Sequence, residues 1–516
     1  MPVAKLVSQG PSLLAVLIST LILWLLYHIS LVIYYLCFHP LAAFPGPKIA
    51  AATKLFEFYH DVIRGGQFYK EIQRMHEVYG PIVRINPYEI HINDATYYDT
   101  IYAGPGNKRD KYPWFTAAGG SPLSAFATQH HDLHRLRRSA LNPFFSKASV
   151  LRLEPMIHDK VSKMCYVLEK HLKHDKVFEF GAAYLSFALD TVTEYAFGKS
   201  RCWGCLDQDE FAVEWKEAIM EAFENATLVR YVPWVAVVLL KVPHEWILKV
   251  HKPMGMFFKS AAMIRGTVND FLAKENKGFA DEQTIFSSLR NGSLPESETT
   301  PKRLLDEGNI LIAAGGEAIT QLLSTTSFHL LENPQMLERL QAELTEASPD
   351  ASDMITWKQA ERLPYLTAII TEALRVSAKV TTRLPRVSPD EALQYKQWII
   401  PPGTPVSSTS AAIHIDPSLW PEPLKFDPER WTNEPSTIPK GKKEFIFTFS
   451  KGTRGCLAVN LAYAQAYLVI ANVFRKFDLE LFETTTRDIT TVRDCFNGQP
   501  FKGSKGVRAK VVGLRR

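Results

Sequence analysis

An apolar run at the N-terminus constrains the fold of this chain more than any other stretch. Residues 12–38, SLLAVLISTLILWLLYHISLVIYYLCF, lie in a segment without Asp, Glu, Lys or Arg that extends from Lys5 to Lys48. About 20 apolar residues in a helix span the hydrocarbon core of a bilayer, whereas the apolar region of a cleaved signal peptide usually has only about 7–15 residues. The run therefore predicts an uncleaved membrane anchor over residues 1–44, ended by the Pro-Gly-Pro of residues 45–47.

The remaining residues, 45–516, predict one large, mainly helical domain with a minor β-sheet. The sequence has no Pro/Gly/Ser-rich or charged linker in this part, and 46% of all residues are hydrophobic, which supplies a large core. Two short alternating runs around Asn86-Pro87 predict a hairpin, and short strands and Pro-rich turns are expected over 380–440. Apolar periodicity predicts helices at 131–145, 150–172, 181–197, 209–225, 247–274, from about 302, and at 320–331, 334–346, 357–360 and 364–377.

Charge and metal-ligand spacing exclude several classes of function. The net charge of +5 comes from 59 Lys+Arg against 54 Asp+Glu, without a basic patch interleaved with aromatic residues, so no nucleic-acid partner is expected. Cys202-Trp-Gly-Cys205 could form half of a zinc or redox site, but the sequence has no second pair nearby. His130 and His134 are spaced to share a zinc ion, yet no Glu follows the first His as in H-E-x-x-H, and arginines surround them.

The stretch FSKGTRGCLA, residues 449–458, carries the clearest chemical motif. Gly452 and Gly455 indicate a tight backbone path around something flat and bulky. The following residues lack Gly and Pro and predict a long helix, so that Cys456 lies near a helix N-terminus, where a thiolate is favoured. Arg454 adds positive charge for an anionic partner. The alternative from this stretch alone is a buried cysteine at a turn.

Four other stretches carry charged residues that bear on the function. Glu372 and Arg375 lie three residues apart and can pair on one helical face. The others are His134 and Arg138 in HDLHRLRRSALNPFFS, Arg383 and Arg386 in TTRLPRVSPD, and Arg430 in FDPERW.

Together with FSKGTRGCLA, these four stretches resemble the cytochrome P450 family of heme-thiolate monooxygenases, and the resemblance extends from the anchor to the C-terminus. In detail, the resemblance is greatest to microsomal fungal enzymes of secondary metabolism, particularly the trichodiene-oxygenase-like group. The segments that carry it are HDLHRLRRSALNPFFS, RLPRVSP and FSKGTRGCLA. The resemblance implies the P450 fold, preceded here by a transmembrane helix. It also implies that Cys456 is the iron ligand, because a thiolate donates electron density to iron and favours O–O cleavage.

The resemblance assigns a role to each matching residue. Phe449, Gly452, Arg454 and Cys456 match the heme-binding loop, with Ala458 in place of the usual Gly. Arginine pairs well with the carboxylates of heme, and the implied propionate ligands are Arg454, His134, Arg138 and Arg386, with Arg383 as second choice for the last. His134 replaces the usual Trp. The family's E-x-x-R triad corresponds to Glu372, Arg375 and Arg430.

One departure affects oxygen activation. In NILIAAGGEAITQLL, Ala314, Gly315 and Glu317 match the pattern A-G-x-D/E-T, but Ala318 replaces the threonine that helps deliver protons to bound dioxygen. Water, Glu317, Thr320 or a substrate hydroxyl could supply those protons. The alternatives are a heme-thiolate isomerase or dehydratase that does not use O₂, and a non-catalytic heme carrier or sensor.

The resemblance further implies the cofactor, partners and location of the enzyme. The cofactor is heme b with an axial thiolate from Cys456, and electrons come from NADPH-cytochrome P450 reductase, with cytochrome b5 as a further candidate donor. The substrate is a lipophilic secondary metabolite, such as a terpenoid, polyketide or alkaloid. It is expected to contact 113–127, Asn309, Ile312, Ala313, 380–384 and the loop CFNGQPF. A single-pass protein of the endoplasmic reticulum with a cytoplasmic catalytic domain is expected; residues 241–258 are either a membrane-dipping segment or a core helix.

Overall fold

A computed structural model describes residues 13–116, 120–232, 234, 238, 241–273, 284–292, 294–377, 380–432 and 442–515. The fold is mainly helical, as predicted. Its helices are α1 (Leu13–Ile33), α2 (Lys48–Ala52), α3 (Leu55–Phe58), α4 (Phe68–Tyr79), α5 (Tyr98–Ile101), α6 (Pro113–Thr116), α7 (His131–Leu141), α8 (Lys147–Arg152), α9 (Glu154–Lys173), α10 (Phe180–Phe197), α11 (Val213–Tyr231), α12 (His244–Val250), α13 (Lys252–Ala273), α14 (Ile285–Asn291), α15 (Pro301–Glu332), α16 (Pro334–Ala347), α17 (Trp357–Ala360), α18 (Pro364–Val376), α19 (Ser410–His414) and α20 (Val459–Lys476).

The strands form small sheets at the edge of the helical body. They are β1 (Ile82–Arg84), β2 (Ile90–Ile92), β3 (Asp110–Lys111), β4 (Val177–Glu179), β5 (Arg386–Val387), β6 (Leu393–Tyr395), β7 (Trp398–Ile400), β8 (Pro405–Ser407), β9 (Phe477–Leu481), β10 (Arg493–Cys495), β11 (Asn497–Gln499) and β12 (Arg508–Leu514). One sheet has the order β1-β2-β8-β5-β3 and another the order β4-β12-β9, while β6–β7 and β10–β11 are hairpins. The predicted hairpin around Asn86-Pro87 is β1–β2.

The N-terminal helix has the length and composition predicted for an anchor. Among the described residues, Leu13–Phe38 is a helical segment with a mean hydropathy of 2.3 that is long and apolar enough to cross a membrane. Its side chains are not buried against the rest of the protein. The first twelve residues of the predicted anchor lie outside the described residues, as do 117–119, 274 and 433–440 of the other predicted segments.

Several predicted helix boundaries were wrong, including those of 150–172, which is divided between α8 and α9, and two have identifiable reasons. The helices expected from about 302 and over 320–331 are one continuous helix, α15, because Gly315 and Gly316 are tolerated where α10 packs closely against it. A Cβ atom at Gly315 would lie 3.0 Å from Val192 Cγ2, so the glycine permits this close approach. The helix expected over 247–274 is divided at His251, whose extended backbone precedes the proline of the next helix.

A buried charge network connects α18 to the segment that precedes the cysteine loop. Arg375 Nη2 lies 2.6 Å from Glu372 Oε1, and Arg430 Nε lies 3.3 Å from the same oxygen. Neither the Glu372 nor the Arg375 side chain has exposed surface. Arg375 Nη1 also donates to the backbone carbonyl of His414 (2.8 Å), so the network bonds to the backbone around it. Because both charges are paired and hydrogen-bonded, the network can hold this part of the chain in one arrangement.

We expect Arg375→Gln to lower the free energy of unfolding by about 3–5 kcal/mol, because it leaves Glu372 as a buried charge that has lost its main partner. Chemical unfolding in detergent measures this change. Arg74→Gln is the matched control: Arg74 has the same spacing and the same 2.6 Å contact to Glu71, but its side chain is 65% exposed. Equal unfolding midpoints for the two variants would contradict the prediction.

Candidate active site

The cysteine loop is held by backbone hydrogen bonds and by contact with residues 102–103. Cys456 N–H donates to Phe449 O (2.8 Å), and Thr453 N–H donates to Ala103 O (3.1 Å). Gly452 has a φ of 71°, and a Cβ atom there would overlap the carbonyl oxygens of Tyr102 and Ala103. The close neighbour that requires this glycine is therefore the protein's own backbone, rather than a flat ligand as the sequence indicated.

Cys456 lies in a recess of the protein. Its residue has exposed surface, while burial among the surrounding atoms raises the pKa of the thiol above its ordinary value. The backbone N–H of Ala458 and the charge of Arg138 act in the opposite direction but do not outweigh burial. The position near a helix N-terminus is therefore not sufficient to favour the thiolate, as the sequence had predicted it would be. A positive ion bound at Sγ would supply the missing compensation.

Besides Cys456, part of the long helix α15 is also accessible to solvent. Ala314 and Ala318 are exposed and lie four residues apart on one helical face, whereas Gly316, Glu317 and Ile319 are buried. Because α15 packs against α20, the helix that follows Cys456, these alanines and the cysteine belong to neighbouring elements. The methyl group of Ala318 therefore occupies the exposed face where the family pattern has a threonine.

The two candidate catalytic residues on α15 lie away from this face. The Thr320 hydroxyl is buried and donates to Gly316 O (2.8 Å) within its own helix. Glu317 is buried, and its Oε1 accepts a hydrogen bond from Gln321 Nε2. Glu317 is one residue from Ala318 and so lies about 100° around the helix from it. The structure thus brings Glu317 to the edge of the exposed face and leaves Thr320 on the far side.

A pair of like-charged residues lies on strands β3 and β5, near the cysteine loop. The register of β3 against β5 places Lys111 directly opposite Arg386, and both side chains are buried. Like charges opposite each other destabilise a strand pair. Burial and then the charges of Arg386, Arg454 and Arg138 lower the pKa of Lys111 well below its ordinary value. Sequence reasoning missed Lys111, because only the strand register brings it to Arg386.

Three predicted propionate ligands complete this cationic cluster, which consists of Lys111, His134, Arg138, Arg386 and Arg454. Burial, with repulsion first from Arg454, lowers the pKa of His134 to about 2, so its imidazole is neutral. Burial and then Arg386 lower the pKa of Arg454 to about 9, while Asp110 acts in the opposite direction. In the part of the chain that the structure describes, no salt bridge joins any of the five to a carboxylate.

Several polar atoms of the cationic cluster have no protein partner. Arg454 donates to the carbonyls of Thr128 and Gln129 (2.6 Å to the latter), and Arg138 donates to Gly455 O (2.6 Å). His134 Nδ1, Arg386 Nε and Arg454 Nε are buried without a hydrogen-bond partner among the described residues. An anionic ligand would satisfy buried donors and cations of this kind. The two propionates of heme match this requirement in charge and in preference for guanidinium groups.

Arg383, the second choice for a propionate ligand, belongs to a different cluster. Its guanidinium group lies 2.5 Å from Glu57 Oε1 and 2.9 Å from Glu89 Oε2. These two carboxylates satisfy its charge, so the geometry favours Arg386 over Arg383.

Comparison with known proteins identifies the family. The model of the family described as Cytochrome P450 matches residues 46–496. The chain belongs to the cytochrome P450 family. It is 39% identical over 484 residues to a tryptophan 6-hydroxylase of Fusarium equiseti, covering 93% of this chain and 94% of that protein. It is 39% identical over 513 residues to a cytochrome P450 monooxygenase of Sordaria araneosa (97% and 99%), and 40% identical over 487 residues to a conidiogenone synthase of Penicillium rubens (94% and 97%).

These comparisons confirm the predicted family, fold and enzyme class. The chain is a cytochrome P450 monooxygenase similar to fungal enzymes of secondary metabolism, and its family implies heme with a cysteine thiolate ligand. The N-terminal helix is consistent with the anchors of microsomal members. The division at residue 44 and the roles of the individual site residues stay predictions. The residues of the cationic cluster and Cys456 fit the expected heme, because they combine a ligand sulfur with unpaired buried donors.

We expect Lys111→Met to accelerate heme loss about tenfold, because a charged hydrogen bond to a propionate is removed. Transfer of heme to apomyoglobin measures the rate. The same variant should raise the melting temperature of heme-free protein, since it removes repulsion with Arg386. Lys147→Met is the control, as Lys147 pairs with Glu361 (2.8 Å) at the surface. A heme-loss rate equal to that of the control would contradict the prediction.

Proposed function

We propose that this chain inserts one oxygen atom from O₂ into a lipophilic secondary metabolite, with Cys456 Sγ as the axial ligand of heme b. The observation that carries the proposal is the exposed Cys456 beside the cationic cluster, in which four cations and the neutral His134 have no carboxylate partner among the described residues. When bound, heme would supply the dioxygen chemistry and the electron storage that the side chains lack. Phe449 and Gly452 would hold the loop that carries the ligand.

The cationic cluster would orient the heme from one edge. Arg386, Arg454, Arg138 and Lys111 would neutralise the propionates, and neutral His134 would donate a single hydrogen bond. Because these residues come from β3, β5, α7 and the cysteine loop, the propionates would be held by several separate elements of the fold. Heme binding would also relieve the repulsion between Lys111 and Arg386.

Aromatic side chains from separate elements would contact the substrate. Phe496 lies 6.3 Å from Phe115, 6.2 Å from Phe126 and 6.1 Å from Phe223, measured between ring centroids. Its φ of 76° is strained for an aromatic residue, and Asp494 Oδ1 accepts a hydrogen bond from its N–H (3.0 Å). Such a cluster favours a substrate with a flat apolar part. Two of the related enzymes, named for tryptophan hydroxylation and conidiogenone synthesis, support oxidation of a secondary metabolite.

The electron donor would be NADPH-cytochrome P450 reductase, with cytochrome b5 as a further candidate, and residues 45–516 would form the catalytic domain. The anchor over residues 1–44 would place that domain on the cytoplasmic side of the endoplasmic reticulum. Trp246 and Val250 of α12 are 71% and 88% exposed, which favours contact with the bilayer over the core position considered for this segment.

We expect the reduced protein with carbon monoxide to show the strongly red-shifted Soret band of heme-thiolate ligation, and Cys456→Ala to lose it. A difference spectrum of the dithionite-reduced, detergent-solubilised protein measures this. Cys202→Ala is the control, because Cys202 bonds to Asp190 O (3.5 Å) outside the cysteine loop and should leave the band intact. A histidine-type spectrum in the unmodified protein, or the red-shifted band in Cys456→Ala, would overturn the proposed ligation.

Proton delivery is proposed to run through ordered water and the Glu317 carboxylate, because Ala318 has no hydroxyl and that of Thr320 is bound to Gly316 O. We expect Glu317→Gln to raise the hydrogen peroxide released per NADPH several-fold in a system reconstituted with reductase. Ala318→Thr should lower this ratio. The control is Glu332→Gln, at the last, partly exposed turn of α15. An unchanged ratio in Glu317→Gln would exclude Glu317 from the relay.

A further inference from the structure

Residues 121–129 form a segment, here called the roof segment, that is bound by two consecutive carboxylates of α15. Leu123 N–H donates to Asp306 Oδ2 (2.8 Å), and Ala125 N–H donates to Glu307 Oε2 (3.0 Å). Both acids are buried. Bonds from backbone N–H groups to buried carboxylates are among the stronger hydrogen bonds in proteins, so this edge of the roof segment is held firmly.

A second set of ion pairs supports the same edge. Glu307 Oε2 lies 2.5 Å from Arg303 Nη1, which neutralises its charge. Arg137 of α7 pairs with Glu298 (2.6 Å) and donates to Thr128 Oγ1 (2.8 Å). Glu307 and Glu298 are therefore paired with arginines, and the roof segment is tied to both α15 and α7.

The opposite edge of the roof segment contacts the cationic cluster. The Lys111 ammonium group donates to Phe126 O, and Arg454 donates to the carbonyls of Thr128 and Gln129. The roof segment thus has carboxylates bound to its N–H groups and cations bound to its carbonyl groups. This arrangement fixes its position between α15 and the proposed heme edge.

Phe126 is the aromatic side chain of the roof segment that lies beside both the cationic cluster and Phe496. Its ring lies 3.5 Å from Lys111 Nζ and 6.2 Å from the Phe496 ring, and it is half-buried. Glu307 and Ala314 are seven residues apart, so they lie on one face of α15 at a separation of about 10 Å. The carboxylates therefore bind the roof segment two turns before the exposed alanines.

We propose that Asp306 and Glu307 are positioning residues that determine which substrates fit, because they set the place of the Phe126 ring beside the cationic cluster and Phe496. The inference rests on the proposed heme site. Neither acid needs to touch the substrate. The acids act through the backbone of Leu123 and Ala125, and a loosened roof segment would withdraw the ring from an aromatic ligand.

The test uses the holoenzyme with two ligands that bind ferric heme through nitrogen, imidazole and 4-phenylimidazole, titrated by the Soret shift. We expect Asp306→Ala to weaken 4-phenylimidazole about tenfold and to leave imidazole unchanged, since one charge-assisted hydrogen bond is lost. Asp306→Asn should restore binding, because its amide oxygen can still accept from Leu123 N–H. Glu307→Ala should act as Asp306→Ala does, but the loss of the Arg303 partner can also unfold the chain, so Asp306 is the primary variant.

A double-mutant cycle separates positioning from general stability. If Asp306 acts through the ring, Phe126→Ala should lose the same tenfold, and the double variant Asp306→Ala, Phe126→Ala should lose no more than either one. Additive losses, or equal losses for both ligands, would overturn the inference while the carbon monoxide band remained intact. Glu332→Ala on the last turn of α15 is the control and should bind both ligands as the unmodified protein does. Absence of the band in the unmodified protein would overturn the proposed heme site and this inference together.

Discussion

Uncompensated positive charge inside the fold is the constraint on which the rest of the site depends. Lys111 and Arg386 face each other across two short strands, and Arg454, Arg138 and His134 converge on the same region. A buried like-charged pair is costly unless an anion binds between the partners. A dianionic cofactor bound there would relieve this repulsion, and the relief would add to its binding free energy. Retention of the cofactor would therefore depend on the strand register.

The cysteine loop is held near this region mainly by contacts with backbone atoms of the protein. Gly452 lies against the backbone of Tyr102 and Ala103, and Arg138 donates to the carbonyls of Gly455 and Cys456. The buried triad of Glu372, Arg375 and Arg430 supports the segment before the loop. These contacts place the thiol in a recess where burial opposes its ionisation, which a bound metal ion would reverse.

The opposite wall combines small and large side chains. Ala314 and Ala318 are exposed small side chains on α15, while the rings of Phe126 in the roof segment and Phe496 in the β10–β11 turn lie 6.2 Å apart. Both phenylalanines are held by carboxylates, Phe496 through Asp494 and the Phe126 segment through Asp306 and Glu307. Acidic residues therefore hold the backbone that carries both rings, and under the proposal made above they would influence which substrates fit.

The sequence by itself determined the predicted apolar anchor, the mainly helical domain, the cysteine loop and the E-x-x-R pair. Each of these features depends on residues that are close together in the sequence. The family comparison confirmed the resemblance that those motifs carried. Helix continuity through Gly315 and Gly316 could not be predicted, since it depends on the close packing of α10. The same holds for Lys111, for the pairing of Arg383 with Glu57 and for the hydrogen bond that the Thr320 hydroxyl makes within its own helix. Only the tertiary structure decided these points, because each depends on a partner distant in sequence or on the direction of a side chain.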